Sequence, residues 1–293
     1  MSITAPFVIM NEQLLPLNEA RVPINDRSFL FGDSLYEVIA THKGQPFFTD
    51  DHLQRLRTTA AGVHMSLPWT DDWFKQQIRK GLDQLPLDEV YVRIVVSRGS
   101  GDFNIDIDST ATEPQAVFIF KPLPVPAEAY FTQGYFLSVP QTRRNHPRSL
   151  SPAFKTGNYL NNILCLHEAK AQGADDALIL DLDGYVTEAT TSNFFFVKNG
   201  TLYTAPLEVG ILDGITRRYM LAQAQELGIP SKEERFTLED VWQADEVFLS
   251  STIKGAMPVY RIDDNVFPEG YGPIMQQLNQ AYWTYVENHL DQY

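Results

Sequence analysis

The first third of the chain alternates apolar and polar residues in short segments, with the two-residue period that is typical of strands. The segment FVIMNEQLLPL predicts a hairpin that turns at Asn11–Glu12, and LYEVIATHKGQPFFT predicts a second hairpin around Lys43–Gly44. The segment VFIFK predicts a further strand. The segment EVYVRIVVSRG predicts a strand with two different faces. Val90, Val92, Ile94 and Val96 form the apolar face, and Tyr91 and Arg93 lie on the other.

Apolar residues at helical spacing predict helices in DDHLQRLRTTAAGV, NYLNNILCLHEAKAQG, TRRYMLAQAQELG and IMQQLNQAYWTYVENHL. The second of these helices is expected to end at Gly173 and the third at Gly228. The segments ALILDLDGYVTEA and NFFFVKNGTLYTA predict hairpins that turn at Asp183–Gly184 and Asn199–Gly200. Hairpins and helices in this order predict an α+β fold.

A cluster of prolines divides the chain into two unequal parts. The segment KPLPVPAEAY contains Pro122, Pro124 and Pro126, and prolines at this density exclude a helix interior or a central strand. We therefore predict a linker at residues 122–130. It would separate a small N-terminal domain, residues 1–121, from a larger C-terminal domain, residues 131–293.

Composition narrows the possible partners of the protein. Among 293 residues, 23 are Lys or Arg and 37 are Asp or Glu, which gives a formal net charge of −14. A protein this acidic is not expected to bind nucleic acid or an anionic membrane surface. The single cysteine, Cys165, excludes an internal disulfide, and no targeting segment or membrane-length apolar run is visible. We expect a cytoplasmic protein.

Motifs of several common catalytic sites are absent from the sequence. The six histidines have no zinc-ligand spacing, so we expect no metal, and no GxSxG, Walker or GxGxxG motif occurs. Lys155 stands out because SPAFKTGNYL places it between small and apolar residues and the start of an apolar helix. Desolvation there would lower the pKa of the amine, as a Schiff-base lysine requires. A lysine that merely extends to solvent at a helix start is the alternative.

Two segments offer groups that bind phosphate. In GILDGITRRYM, residues 214–216 lie at the start of a helix, where backbone N–H groups and the positive end of the dipole attract anions. In FLSSTIKG, an apolar strand ends in hydroxyl residues 250–252. Each feature alone is typical of an ordinary cap or turn. Together with a Schiff-base lysine they indicate pyridoxal phosphate, a phosphorylated aldehyde.

The run FKTGNYLNNILCLHEAKAQGADDALILDLDGYVTEATTSNFFFVKNGTLYTAP resembles the core of the class IV, or fold-type IV, pyridoxal-phosphate aminotransferases. This family includes branched-chain aminotransferases, D-amino acid aminotransferases and aminodeoxychorismate lyases. The blocks NEARVPINDRSFLFGDSLYEVI, DDHLQRL, RRNHPRSLSPAFK, GILDGITRR and SSTIKGAMPV extend the resemblance over nearly the whole chain. It implies a small N-terminal α/β domain, a larger C-terminal α/β pseudo-barrel domain, an active site between them, and a homodimer or higher homo-oligomer.

The resemblance implies a role for each residue that matches a family motif. Lys155 matches the lysine that forms the Schiff base and then moves the proton between Cα and C4′. Glu188 matches the carboxylate that binds the pyridine nitrogen and keeps it protonated. Arg55, in DDHLQRL, matches the phosphate-binding arginine. The resemblance also implies that Tyr159 lies near the O3′ oxygen of the cofactor. It implies a phosphate cradle formed by Ile215, Thr216 and Thr252, with Ser251 beside it.

The segments that would bind the substrate carboxylate differ in the subgroup they resemble. Tyr91-Val92-Arg93 and KTGNYLNNIL are similar to branched-chain enzymes, whereas LYEVIATHKG is closer to the D-amino acid subgroup. The Arg-x-His pair of the standard D-amino acid enzymes is absent from residues 101–104. The segment SSTIKGAMPV departs from both patterns, and its Lys254–Gly255 resembles some lyases and uncharacterised members of the family. Arginine is the preferred partner of a carboxylate. The candidate substrate contacts are Tyr36, Tyr91, Arg93, Arg98 and Arg143, with Arg144 beside Arg143.

We therefore expect a branched-chain-type aminotransferase that moves an amino group from an apolar amino acid to a 2-oxo acid such as 2-oxoglutarate. A D-amino acid aminotransferase with a non-standard carboxylate site is the first alternative, and aminodeoxychorismate lyase is the second. A non-catalytic binding protein with the same fold has no need for Lys155, Glu188 and Arg55 together. The expected partners are small-molecule amino acids and 2-oxo acids.

Overall fold

A computed structural model describes residues 4–291 of the protein, and contacts divide the chain into two compact units. The first unit comprises Met1–Pro124, Phe154–Asn158 and Glu287–Tyr293, and the second comprises Val125–Ala153 and Tyr159–Val286. The domain boundaries expected from the sequence, at residues 121 and 131, stay a prediction. Their outermost residues, 1–3 and 292–293, lie outside the described part of the chain.

The first unit is built on an antiparallel sheet of six strands in the order β2-β1-β6-β5-β3-β4. Its strands are β1 (Phe7–Met10), β2 (Gln13–Pro16), β3 (Ser34–His42), β4 (Gln45–Pro46), β5 (Val90–Ser97) and β6 (Gln115–Pro122). Its helices are α1 (Arg27–Phe31), α2 (Thr49–Gly62) and α3 (Asp71–Leu82), with a 3-10 turn at Ile107–Ser109. Apolar side chains of the sheet, α2 and α3 form one core.

Local chemistry explains the hairpins and the strand faces of this unit. The two predicted hairpins are confirmed, and their turns use backbone with positive φ at Asn11, Glu12, Lys43 and Gly44. Strand β5 buries every second residue, so its apolar face enters the core while the face with Tyr91 and Arg93 remains half-buried. In α2, acidic residues occupy the first turn, where the helix dipole favours them.

The second unit contains a sheet of nine strands. Its strands are β7 (Tyr135–Ser138), β8 (Asp176–Leu180), β9 (Val186–Ala189), β10 (Asn193–Lys198), β11 (Thr201–Thr204), β12 (Ser231–Glu233), β13 (Glu246–Ser251), β14 (Gly255–Ile262) and β15 (Asn265–Val266). Its helices are α4 (Ala129–Thr132), α5 (Leu160–Ala171), α6 (Ile215–Glu226), α7 (Leu238–Val241) and α8 (Pro273–Asn288), with a 3-10 turn at Leu207–Val209.

The sheet of the second unit closes on itself. The strands follow the order β10-β13-β14-β7-β8-β9, and β9 pairs again with β10 through Glu188 and Asn193. Apolar residues inside this ring form the second large core. The expected pseudo-barrel and the mixed α and β content are therefore confirmed. Closure also places Glu188 at the strand pair that completes the ring.

The predicted helices and hairpins of the second unit are confirmed. Helix α5 is followed by Gly173 and α6 by Gly228, and both glycines have the positive φ that ends a helix. The hairpins turn at Asp183–Gly184 and Asn199–Gly200, as expected. Among residues 4–291, no helix combines the length and the hydropathy needed to cross a membrane.

Candidate active site

Lys155 is held against strand β3 of the first unit. Its carbonyl accepts a hydrogen bond of 3.0 Å from the Tyr36 N–H, and its own N–H donates to Thr59 Oγ1 at 3.2 Å. The preceding Phe154 fits against α2 because Gly62 has no side chain: a Cβ there would lie 2.3 Å from the Phe154 ring. These contacts fix the backbone from which the half-buried Lys155 amine extends.

Tyr36 connects the Lys155 amine with Arg93. Lys155 Nζ lies 3.4 Å from Tyr36 Oη and 4.4 Å from the centre of its ring. The guanidinium carbon of Arg93 lies 4.0 Å from the same ring centre, in cation–π geometry. The pairing of β3 with β5 places Val38 opposite Arg93 and Ala40 opposite Tyr91, so these side chains share one face with Tyr36. The sequence-predicted Lys155, Tyr36 and Arg93 are thus brought together, and Tyr91 lies on the same face of the sheet.

Arg55 is bound by a buried carboxylate. Its Nε and Nη2 donate to the two oxygens of Glu37, each at 2.7 Å. His52 Nδ1 lies 2.8 Å from Glu37 Oε2, and neither His52 nor Glu37 has exposed surface. Burial alone would raise the pKa of Glu37, but Arg55 and His52 outweigh it and hold the pKa well below its ordinary value.

The neutral form of His52 is favoured for two reasons. Burial lowers the pKa of His52, and the hydrogen bond to Glu37 only partly opposes that effect. Its Nε2 atom is buried and has no hydrogen-bond partner among the described residues. Neither Glu37 nor His52 was predicted as a site residue. The signal was present in the sequence, since His52 and Arg55 are three positions apart on a helix and therefore share a face.

The two other arginine candidates make contacts within the protein. Arg98 donates to Asp33 at 2.7 Å and to the carbonyls of His64 and Val63, each at 2.8 Å. Arg27 also binds Asp33, so that carboxylate lies between two arginines and its pKa is lowered despite burial. Arg143 in the second unit donates to the carbonyl of Pro140 at 2.8 Å. Their predicted contacts with substrate stay predictions.

Glu188 in the second unit is almost fully buried and receives hydrogen bonds at both oxygens. Arg144 Nη2 donates to Oε1 at 2.8 Å, while Asn193 Nδ2 and the Leu212 N–H donate to Oε2 at 3.2 and 3.1 Å. Arg144 is oriented in turn by Asn162 Oδ1, 2.9 Å from its Nη1. Donors of this kind favour the ionised carboxylate. Arg144, considered from sequence for substrate, instead pairs with Glu188.

Helix α6 begins beside this carboxylate. Gly214 precedes the helix, and no side chain caps its first N–H groups. A Cβ on Gly214 would lie 1.9 Å from Asn193 Oδ1, so only glycine lets the helix start approach the Glu188 partner this closely. Ile215 and Thr216 are buried, and Thr216 Oγ1 lies 3.4 Å from Tyr282 Oη. An uncapped helix start of this kind is an anion-binding arrangement.

Hydroxyl groups lie at two other places in the second unit. The Ser192 and Ser250 hydroxyls are buried and have no hydrogen-bond partner among the described residues. The predicted Ser251 and Thr252, at and just after the end of β13, are half-buried. Tyr159 directly precedes α5.

Cys165 is buried, and burial raises the pKa of its thiol to about 11, which argues against a nucleophile.

Each unit therefore offers its own set of chemical groups. The first offers an amine beside a phenol and an arginine, and also a second, rigidly held arginine. The second offers a buried carboxylate and an uncapped helix start. Among the described residues, no group of three or more His, Cys, Asp or Glu side chains is placed to hold a metal ion.

Comparison with known proteins gives concordant matches. The profile of the family "Amino-transferase class IV" matches residues 34–262. A Methanocaldococcus jannaschii protein named "Putative branched-chain-amino-acid aminotransferase" is 33% identical over 94% of each chain. A Listeria monocytogenes D-alanine aminotransferase is also 33% identical over 94% of each chain. The branched-chain amino acid aminotransferase of Thermobaculum terrenum, solved in its PLP form, superposes with a TM-score of 0.85 and 26% identity, covering 97% of this chain and 95% of that one.

Proposed function

The chain belongs to the class IV aminotransferases, and from that premise we propose that it uses pyridoxal phosphate to transfer the amino group of an apolar, branched-chain-type amino acid to a 2-oxo acid such as 2-oxoglutarate. The observation that carries this proposal is the contact of Tyr36 with both Lys155 and Arg93. It combines an amine that can bind an aldehyde with an arginine that can bind a carboxylate.

The side chains of the protein fit a phosphorylated pyridine aldehyde. Such a cofactor supplies an electrophilic carbon and a ring that accepts the charge released when the substrate Cα loses its proton. Glu188 suits the ring nitrogen because its carboxylate is buried and oriented by hydrogen bonds from Arg144 and Asn193. A buried carboxylate beside that nitrogen favours its protonated state.

Lys155 is the proposed catalytic residue. Its amine would hold the aldehyde of the cofactor, and it would accept and return the proton of the substrate Cα. Tyr36 Oη is close enough to orient Lys155 Nζ. The hydrogen bonds at the Lys155 backbone attach this amine to a fixed segment of the chain.

The phosphate contacts are proposed for groups that the sequence resemblance indicated. Arg55 supplies a guanidinium held by Glu37, and the uncapped start of α6 supplies backbone N–H groups. Hydroxyls of Thr216, Ser251 and Thr252, together with the Ile215 backbone, complete the proposed cradle, and Tyr159 is proposed for O3′.

For the substrate carboxylate we favour Arg93 over Arg98. Arg93 lies over Tyr36, next to the amine, whereas the guanidinium of Arg98 contacts Asp33 and the carbonyls of His64 and Val63. Tyr91 lies on the Arg93 face of β5 and is proposed to share the contact. Arg143 stays a further candidate.

A D-amino acid aminotransferase is the second candidate function. It is favoured by the 33% identity to the D-alanine aminotransferase of Listeria monocytogenes and by Tyr36, which the sequence resemblance links to that subgroup. Aminodeoxychorismate lyase is a third possibility, because it would use the same lysine and glutamate. A homodimer, or a higher homo-oligomer, in the cytoplasm completes the proposal.

A substrate panel tests the proposed function. Purified protein with pyridoxal phosphate is assayed with L-leucine, L-valine and D-alanine, with 2-oxoglutarate as acceptor, and separately with aminodeoxychorismate. We expect 2-oxo acid formation from L-leucine and L-valine. Turnover of D-alanine without L-leucine would establish the second candidate instead, and pyruvate release from aminodeoxychorismate would establish the lyase.

A lysine substitution tests the role of the amine independently of the substrate. The protein mixed with pyridoxal phosphate is expected to develop a visible absorption band, and Lys155→Ala is expected to abolish it. The exposed Lys170 provides the matched control, and Lys170→Ala should leave the band intact. An unchanged spectrum in Lys155→Ala would remove this residue from the mechanism.

A further inference from the structure

Glu37 and His52 form a buried pair of groups that the proposed reaction does not use directly. Glu37 lies on β3 next to Tyr36, and its carboxylate contacts α2 through His52 and Arg55. Both oxygens of Glu37 accept hydrogen bonds of 2.7 to 2.8 Å, and the side chain has no exposed surface. An ionised carboxylate is costly to bury, so these contacts must offset a large desolvation penalty.

The contact uses one edge of the Arg55 guanidinium. A guanidinium carries five N–H groups in one plane, and Glu37 takes those of Nε and of one side of Nη2. The Nη1 hydrogens and the outer Nη2 hydrogen point away from Glu37 because the fork is planar. A bidentate grip at the first edge therefore sets the direction of the second edge, which faces away from Glu37.

His52 fixes the carboxylate in its turn. Its Nδ1–H donates to the Glu37 oxygen that also accepts from Arg55 Nη2, so the plane of the carboxylate cannot rotate freely. With His52 neutral, the charges of Glu37 and Arg55 cancel, and His52 adds no net charge. Direction, and not extra positive charge, is therefore what this trio can contribute.

We propose that Glu37 and His52 are positioning residues that hold the Arg55 guanidinium in the orientation required by the phosphate group of the cofactor. This inference rests on the proposed function, because it needs a phosphorylated ligand. It predicts a selective effect: affinity for the phosphorylated cofactor depends on Glu37 and His52, whereas affinity for the same aldehyde without phosphate does not.

The test compares pyridoxal phosphate with pyridoxal. Apoprotein prepared from the full chain is titrated with each aldehyde. The dissociation constant for pyridoxal divided by that for pyridoxal phosphate gives a ratio that measures what the phosphate contributes to affinity. In Glu37→Gln this ratio is expected to fall about 10- to 100-fold, the loss typical of removing a supporting partner behind a ligand-binding side chain. In Arg55→Met it should fall similarly, and the double variant should show no additional loss.

A conservative variant separates positioning from simple packing. In His52→Asn the amide nitrogen replaces the Nδ1 donor, so the ratio should stay near the wild-type value. In His52→Leu the donor is lost at similar volume, and the ratio should fall. Thermal melting of each apoprotein checks that the variant is folded, and these His52 variants provide the test if Glu37→Gln does not fold.

Asp33→Asn is the matched control for a buried carboxylate. Asp33 lies in the same unit and binds Arg27 and Arg98, so its loss should lower the melting temperature and leave the ratio unchanged. An unchanged or higher ratio in Glu37→Gln would overturn the inference, since it would mean that Glu37 only competes with phosphate for Arg55. Wild-type protein that binds neither aldehyde would instead refute the proposed function.

Discussion

Two arginines of strand β5 and its extension differ in what surrounds them, although the sequence presents them alike. Arg93 lies over the Tyr36 ring on the half-buried face of the strand. Arg98 is buried and contacts the carbonyls of Val63 and His64, which follow the C-terminus of α2. Cations are favourable at that end of a helix. Their substitution should therefore have different consequences.

Arg93→Gln is expected to raise the KM for the amino acid and for the 2-oxo acid by about 10- to 100-fold, since a charge-assisted hydrogen bond contributes about 1.5–3 kcal/mol. Affinity for pyridoxal phosphate should change little. Arg98→Gln should instead lower the melting temperature and affect KM only slightly. Steady-state kinetics and thermal melting of both variants distinguish the roles, and a large KM effect confined to Arg98→Gln would reverse the assignment.

Sequence alone could predict residues that carry their own local signal, but not residues defined by distant partners. Lys155 and Arg55 lie in recognisable blocks, and the alternation of β5 correctly placed Tyr91 and Arg93 on one face. Glu37 was missed because it lies among apolar residues on a strand, where it reads as an interruption of the pattern. Its partners come from a helix 15 and 18 positions later in the chain.

At the scale of elements, hairpins could be predicted because their strands are joined by short turns. The pairing of strands that are distant in the chain could not be predicted. Turn residues with positive φ marked the hairpins of both units. Strand β7 pairs in parallel with β14 and β8, and nothing in its own four residues indicates those partners. Helix α3 was missed although Thr70 caps its start and acidic residues fill its first turn.

The start of α6 provides a prediction at this scale. Gly214→Ala would drive a Cβ into Asn193 Oδ1, and Asn193 also donates to Glu188. The start of α6 and the buried Asn193 amide cannot move apart without disturbing the Glu188 carboxylate. We expect a fall of about 1–3 kcal/mol in the free energy of unfolding and weaker binding of pyridoxal phosphate.

Gly228→Ala is the control for this prediction. It alters the other end of the same helix, where a Cβ would meet nothing within 4 Å, although the positive φ of Gly228 still makes the residue strained. Unfolding by denaturant and titration with pyridoxal phosphate measure the two effects. Gly228→Ala should reduce stability without weakening the cofactor affinity of the folded protein. Equal cofactor affinity in Gly214→Ala and wild type would contradict the role assigned to the α6 start.

At the scale of the whole molecule, the net charge of −14 opposes the ligands that the protein is proposed to bind. The cofactor phosphate and the carboxylates of the amino acid and of the 2-oxo acid all carry negative charge. On the proposed function, binding would therefore depend on individually placed groups, among them Arg93, Arg55 and the start of α6, acting at short range where salt screens little. The total charge therefore says little about the ligand.

One loop of the first unit leaves apolar side chains exposed, which is the basis of the last prediction. Phe103 and Ile105 are 76% and 79% exposed, and Arg27 holds their loop by donating to the carbonyls of Asn104 and Ile105. Side chains of this kind on an anchored loop are typical of a protein interface.

If the surface joins two copies of the chain, wild-type protein should have about twice the 33.3 kDa mass of one chain in light scattering. Phe103→Ser with Ile105→Ser should shift it toward a single chain, whereas Val125→Ser, at a residue that is 85% exposed in the second unit, should not. A double variant that keeps the wild-type mass would assign the loop another role.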